Sequence, residues 1–423
     1  MISLFHHLNP VIKISASRAV IDADTVLENA VIFTHEGKVT EVLPAESATK
    51  LKADKRLNLT GLTVHPGFVN AHCHLELSHL HGKLKPQSEF VDWVYALVKK
   101  RSKASPRTID AGIKNGLSRL LSTGVTCVGD VTSTGSVTPH IEKAGIRAVI
   151  FHETLGYKTA SAGVKLRELV DRVERTPGSE LVTHGVSPHA IYSTSANLIR
   201  GAAEYAAMRR KPMAIHICET PEENLFAKKG IGAMRELLWR LGAYEFGRHP
   251  KMAPIAAVEE LGALKNALLI HFNYPTRGDI TRAKKAGARV VVCPNSNVWF
   301  GRKFAHPLPM LLEKGVPAGI GTDSLASNND LDIAAEARTL HQRFPDMPFK
   351  EIFRMATSGG AAALGLPQDY GTLRPGAPFD AVAVETGDGR GHNLPREIMG
   401  QGRVVRRVWV AGSLRYRNGK GDW

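Results

Sequence analysis

A chain of 423 residues, 43% hydrophobic and 22% charged, has the make-up of an ordinary soluble globular protein with room for one large core and a smaller one beside it. No run reaches the ~18 apolar residues of a membrane span, and Met1 to His7 lack the basic start and apolar centre of a signal peptide, so a cytoplasmic protein without a membrane partner is expected. The formal net charge of +15 would suit nucleic acid, yet the densest clusters, Lys99-Lys100-Arg101-Ser102-Lys103 and Met208-Arg209-Arg210-Lys211, carry no interleaved aromatics and end helix-like segments, where cations favour the helix dipole; solvated helices and no nucleic-acid partner are expected.

Residues 11 to 66 read as short strands and turns. Ala30 to Thr34 and Lys38 to Val42 flank His35-Glu36-Gly37 in the form of a β-hairpin. From Pro66 onward, short apolar strands alternate with longer amphipathic stretches, as parallel β/α units require. Eight candidate strands run near Gly67 to His74, Gly124 to Asp130, Ile146 to Glu153, Leu181 to His189, Pro212 to Cys218, Ala267 to Phe272, Ala288 to Cys293 and Val316 to Asp323. Helix candidates such as Asp110 to Leu121 and Ser195 to Met208 lie between them. Eight such units over about 300 residues predict an α/β fold of the (β/α)8 TIM-barrel type.

Beyond Asp323, Ile333 to Phe344 and Phe349 to Ala363 read as two closing helices. From Tyr370 the chain returns to strands at Phe379 to Val384 and Val404 to Val410, with the texture of the N-terminal segment. The expected organisation is a barrel over residues 66–369 and a small composite β-sandwich from residues 1–65 and 370–423. The four cysteines, Cys73, Cys127, Cys218 and Cys293, lie in or beside strand-like runs without a C-x-x-C pair, and buried free thiols are expected.

The chemistry centres on Val69-Asn70-Ala71-His72-Cys73-His74-Leu75-Glu76. Side chains alternate along a strand, so His72 and His74 present imidazoles on one side while Cys73 points away. An H-x-H pair alone is a weak signal. It gains weight from His216, His271 and Asp323, each at the end of a later apolar run, because a parallel barrel gathers strand ends into one mouth. Three imidazoles and a carboxylate with a position open to water suit zinc or ferrous iron, and His72, His74, His216 and Asp323 are assigned as ligands. A bound ion of this kind brings the pKa of its water towards neutrality, which points to hydrolysis. No lysine stands at a strand end where a carbamate could bridge two metals, so one divalent ion, zinc foremost, is expected.

Glu219, three residues past His216, is close enough to carry protons between water and a leaving group; its other reading is a cap for the helix starting near Pro221. His271 could orient the water or polarise the group attacked, or could be a satisfied core histidine. Competing motifs are incomplete. His152-Glu153 lacks the second histidine of H-E-x-x-H, Cys293-Pro294-Asn295 is not P-C-x-x-C, and no phosphate-binding G-x-x-x-x-G-K-S/T loop occurs. Ala356-Thr357-Ser358-Gly359-Gly360 only approximates a serine nucleophile motif and falls in an expected helix.

In order and context these motifs resemble the amidohydrolase superfamily, in its branch of cytosine, guanine and adenosylhomocysteine deaminases and triazine chlorohydrolases. The resemblance covers nearly the whole chain and rests on Pro66 to His74, His216-Ile217-Cys218-Glu219, His271, and Gly321 to Asn328. It implies a metal-dependent barrel with a β-sandwich from both termini, to which Gly371 through Asp380 return. It also implies Glu219 as proton shuttle, and His271 as a catalytic partner that holds the nucleophile together with Asp323.

Within that branch, His74-Leu75-Glu76-Leu77-Ser78, His271-Phe272-Asn273-Tyr274 and Cys293-Pro294-Asn295-Ser296 look like the aminodeoxyfutalosine deaminase group, while Phe272 and Asn297 depart from its pattern. This implies hydrolytic deamination of a small molecule, a 6-aminopurine nucleoside, with His189 against the substrate and Glu76 or Glu153 at ribose hydroxyls. Removal of chloride or an alkylamine from a triazine is the nearest alternative, and a non-catalytic binding protein the other. Pairing into a homodimer would be compatible with either.

Overall fold

In the computed structural model, residues 10–86, 89–302, 306–386, 394–418 and 420–421 are described. The stretch Met1 to His7 lies outside them. No helix among the described residues is long and apolar enough to cross a membrane.

The chain opens with four strands, β1 (Ile12–Val20), β2 (Val26–His35), β3 (Lys38–Pro44) and β4 (Lys55–Pro66). β2 and β3 form the expected hairpin, and its two connecting residues, Glu36 and Gly37, have φ of 50° and 73°, the left-handed pair that matches the twist of the flanking strands. Eight strands then alternate with helices: β5 (Phe68–Cys73), β6 (Val125–Thr132), β7 (Arg147–Thr154), β8 (Val182–Pro188), β9 (Ala214–Ile217), β10 (Leu268–His271), β11 (Arg289–Val292) and β12 (Ala318–Ile320). Each coincides with one of the eight runs read from the sequence. β13 (Ala381–Glu385), β14 (Val404–Val410), β15 (Ser413–Arg417) and β16 (Lys420–Gly421) complete the described strands.

The first and last groups join in one sheet of order β16-β15-β14-β13-β4-β1-β2-β3. β4 is the link, parallel to β1 and antiparallel to β13. Ile14, Ile32, Val39, Val64, Phe379, Ala383 and Trp409 share a single apolar core, so both ends of the chain complete each other. The middle group forms two parallel runs, β5-β6-β7-β8 and β9-β10-β11-β12. Parallel bridges from Val186 to Met213 and from Cys73 to Asp323 close both seams into an eight-stranded barrel.

Barrel residues alternate between two apolar layers. Ala148, Ile150, Leu269, Val290 and Val292 pack with Leu117, Leu120, Ile199 and Ala202 of the flanking helices. Val149, Phe151, Leu268, Ile270 and Val291 pack instead with one another and with Ala361 and Leu364. Parallel strands covered on both faces read as continuous apolar runs for this reason. Gly321 permits the last seam to close, since a Cβ there would lie 2.8 Å from the Cβ of His72.

The helices sit close to expectation, at Pro106–Ser122, Ala196–Arg209 and Ile333–Arg343. The segment Phe349 to Ala363 differs. It is two helices, Phe349–Ala356 and Ser358–Leu364, broken at Thr357, whose φ and ψ are −128° and −103°. The break brings Gly360 against Val69 of β5, where a Cβ would meet the valine Cβ at 2.9 Å. The basic clusters end their helices as expected, with Lys99, Lys100 and Arg101 in the last turn of Phe90–Arg101 and Arg209 closing Ala196–Arg209. All four cysteines are free and buried.

Candidate functional site

The barrel mouth gathers the histidines and carboxylates assigned to the site. His72 is the penultimate residue of β5, and His74 stands one residue beyond that strand, at the start of the short 3-10 turn Leu75–Leu80. The two rings remain on one side, with centroids 4.8 Å apart. His216 lies in β9, His271 ends β10, and Asp323 follows β12 by three residues. His74 Nε2 is 3.3 Å from His216 Nε2, and Asp323 Oδ1 is 3.7 Å from His72 Nε2 and 3.9 Å from His74 Nε2. Metal-ligating atoms of His72, His74 and Asp323 all fall within 4.8 Å of one another, as do those of His72, His216 and His271.

Backbone strain marks the same place. Cys218, His271, Phe272 and Asp323 have φ between 49° and 69°, unusual for residues with a Cβ and characteristic of sites held by their surroundings. Main-chain and side-chain bonds hold the two ends of the cluster together: Thr322 and Asp323 donate their N–H groups to the His72 carbonyl, and Asn70 exchanges hydrogen bonds with Thr322. Asp323 Oδ2 accepts from Ser296 Oγ at 2.9 Å and Ser327 Oγ at 2.7 Å, which leaves Oδ1 to the histidines.

The electrostatics suit a cation. Burial pushes the pKa of His72, His74 and His216 down, with help from neighbouring histidines, and takes His271 to about 4, so the neutral imidazoles are favoured. Burial would raise Asp323, but the facing His72 ring, 3.7 Å away, and the other surrounding histidines prevail and hold it well below the usual carboxylate range. His72 Nε2 is buried with no hydrogen-bond partner among the described residues. An orphaned imidazole nitrogen facing neutral imidazoles and a carboxylate fits a divalent ion of the zinc type.

Glu219 is not the cap of the helix Pro221–Lys229. Thr220 caps it by accepting from the Glu223 N–H, and the Glu223 carboxylate accepts from the Glu219 N–H at 2.8 Å. The Glu219 side chain is free of that duty. Its Oε1 is 3.9 Å from His271 Nε2 and accepts from Arg302 Nη2 at 3.2 Å. Burial raises its pKa above the ordinary carboxylate value, with Arg302 opposing, a balance that suits a group exchanging protons.

A cavity opens over the cluster. His74, His216, His271, Asp323, Glu219, Glu153 and His189 line it alongside apolar side chains of the helices Phe90–Arg101 and Ala233–Arg240. These two helices meet across the mouth, where Arg240 bonds Asp92 at 2.6 Å and covers the Tyr95 ring. His189 stacks on His216 at 4.7 Å and shares its Nδ1 with Ser193 Oγ. Glu76 and Glu153 differ. Glu76 accepts from the Thr132 and Thr134 hydroxyls and from the Ser133 and Thr134 N–H groups, and faces Arg101 at 3.5 Å. Glu153 uses Oε2 to accept from Ser133 Oγ, while its buried Oε1 has no hydrogen-bond partner among the described residues.

A model of the amidohydrolase family matches residues 63–415. The chain belongs to the amidohydrolase family. It is 29% identical over 418 residues to a 5-methylthioadenosine/S-adenosylhomocysteine deaminase of Nitratidesulfovibrio vulgaris, covering 94% of this chain and 89% of that one. Its fold is shared with a zinc-bound adenosine deaminase of Xanthomonas campestris (TM-score 0.84, 22% identity, 97% and 94% of the two chains). It is also shared with an aminofutalosine deaminase of Helicobacter pylori solved with methylthio-coformycin (TM-score 0.84, 21% identity, 95% and 99%).

In this amidohydrolase the residues read from the sequence converge, and several that no motif assigned a task stand among them. Ser296 and Ser327 fall inside quoted motifs, but nothing in a motif tells a hydroxyl that orients Asp323 from one that caps a turn. Glu336 is buried under both loops: Oε2 accepts from the Asn295 N–H at 2.7 Å and Oε1 from Asn328 Nδ2 at 2.6 Å. Asn297, which departs from the group pattern, makes a reciprocal amide pair with Asn273. Arg302 carries no local signal at all.

Proposed function

We propose that this amidohydrolase is a metal-dependent hydrolytic deaminase that releases ammonia from a 6-aminopurine nucleoside. One observation carries the reading: His72, His74, His216 and Asp323 converge beneath a cavity into which the buried Glu219 carboxylate also opens. Those four residues hold one divalent ion, zinc foremost, within a catalytic barrel of residues 66–369, and residues 1–65 with 370–423 form the composite β domain. An ion bound there brings the pKa of a water towards neutrality.

The chain's own residues do the rest. Glu219 takes the proton from the attacking water and delivers it to the departing amino nitrogen, so ammonia leaves as a neutral molecule. His271 and Asp323 hold the attacking oxygen in line with the amino-bearing ring carbon, and the neutral imidazole supports the charge that develops there. His189 lies against the purine. Of the two carboxylates considered for the ribose, Glu153 has an oxygen open to accept a hydroxyl, whereas Glu76 is spent on the segment Thr132 to Thr134. The nucleoside deaminases among the relatives support this substrate class.

The test is ammonia release by zinc-loaded protein across adenosine-like nucleosides, guanine, cytosine and aminotriazines, with a chelator-treated sample and Glu219→Gln beside it. Release from a 6-aminopurine nucleoside is expected, abolished by chelation, restored by zinc, and reduced roughly 10²- to 10⁴-fold in the variant. Silence of metal-replete protein on every nucleoside would sink the assignment.

A further inference from the structure

Arg302 follows the helix Pro294–Trp299 and has a side chain only 10% exposed. Its guanidinium forks, with Nη2 donating to Glu219 Oε1 and Nη1 to Asn297 Oδ1, each at 3.2 Å. Aromatic rings hold the group in place: it lies 4.5 Å from the centroid of Phe300 and 5.1 Å from that of Phe90. Asn297 cannot turn away, because its amide is paired in both directions with Asn273 at 3.0 Å. Asn273 in turn donates to the Glu219 carbonyl at 3.1 Å. Side chain and main chain of Glu219 are thus tied into one network. Glu219 lines the cavity together with Phe90 and Phe300, and Arg302 packs behind these lining side chains.

Resting on the reading of Glu219 as proton shuttle, we propose that Arg302 is a positioning residue that fixes the Glu219 carboxylate for proton transfer. Phe90, the first residue of the helix Phe90–Arg101, makes that alignment depend on the seating of the helix over the mouth. A carboxylate on a flexible side chain samples several rotamers, and a displacement of about 1 Å at a reacting group costs on the order of 10²-fold in rate. The planar fork selects one orientation. A lysine would supply the charge without the second, asparagine-anchored bond.

The test compares zinc-loaded wild type with Arg302→Met, Arg302→Lys and Phe90→Leu, by kcat and KM on the nucleoside the wild type deaminates, by zinc content, and by crystal structures. Arg302→Met is expected to keep its zinc and lose about 10²-fold in kcat, with KM within about threefold of wild type. Guanidinium chloride should recover part of that loss where potassium chloride at equal ionic strength does not. Arg302→Lys and Phe90→Leu should fall between, and Glu219 should occupy a different rotamer in the Arg302→Met crystal. A kcat within threefold of wild type, a rise in KM alone, or an unmoved Glu219 overturns the proposal. Should Arg302→Met fail to fold, the same criteria apply to Arg302→Lys. If the wild type deaminates no nucleoside, the functional reading fails while the Glu219 rotamer still decides the role of Arg302.

Discussion

At the scale of single residues, Asp323 shows how a proposed metal ligand would be aimed. One carboxylate oxygen is consumed by Ser296 and Ser327, and this turns the other towards His72 and His74. Groups that orient a metal ligand typically matter 10- to 100-fold in metal affinity. Ser327→Ala is therefore expected to weaken zinc binding by about tenfold, read by competition with a chromophoric chelator, while a buried hydroxyl with only a packing role would leave affinity unchanged. The legibility of the site divides along the same line. His72, His74, His216 and Asp323 could be found because each ends an apolar run, and strand ends are where a parallel barrel concentrates function. Glu219 could be placed but not decided, since an acid before a helix reads equally as a cap; only the Thr220 cap in three dimensions released it. Arg302 meets Glu219 across 83 positions of sequence, with no spacing rule to reveal it.

At the scale of elements, all eight barrel strands were readable, because a strand covered on both faces must be an unbroken apolar run. The break within Phe349 to Ala363 was not. The apolar spacing continues through Thr357, and what divides the helix is the close approach of Gly360 to β5, a tertiary fact. This gives a prediction about stability. In Gly360→Ala the new methyl would sit 2.9 Å from the Val69 Cβ and 3.1 Å from the Met355 carbonyl oxygen, neither of which is the tip of a flexible side chain. Overpacking of this kind costs about 1 to 3 kcal/mol, so a lowered midpoint in denaturant is expected. Gly163→Ala is the contrast, since the nearest atom there is an arginine nitrogen at 3.7 Å and the helix gains a better former. Equal midpoints for the two variants would show that the break has another origin.

At the scale of the whole molecule, the question is whether the terminal sheet is an appendage or part of the barrel's foundation. Arg147, the first residue of β7, donates to both oxygens of Asp380, at 2.8 and 3.2 Å, and Asp380 also accepts from the Ala411 N–H at 2.6 Å. Both side chains are at most 7% exposed, and Tyr370 covers the guanidinium at 4.6 Å. One carboxylate therefore binds the entry of a barrel strand to the turn between two terminal strands. Removing one partner of a buried pair leaves the other charge without compensation, a loss of about 3 to 5 kcal/mol, whereas replacing both with apolar groups of similar volume is far less costly. Asp380→Ala is expected to lose stability on this scale and Arg147→Met/Asp380→Leu to recover most of it, both measured by urea unfolding. The shape of the transition answers the larger question. If the sheet and barrel share one foundation, near-ultraviolet ellipticity and zinc release follow a single curve in the wild type and move together in Asp380→Ala. A first transition that melts terminal strands while zinc stays bound would mean instead that the barrel stands alone, and that the ends of the chain fold onto a structure already complete.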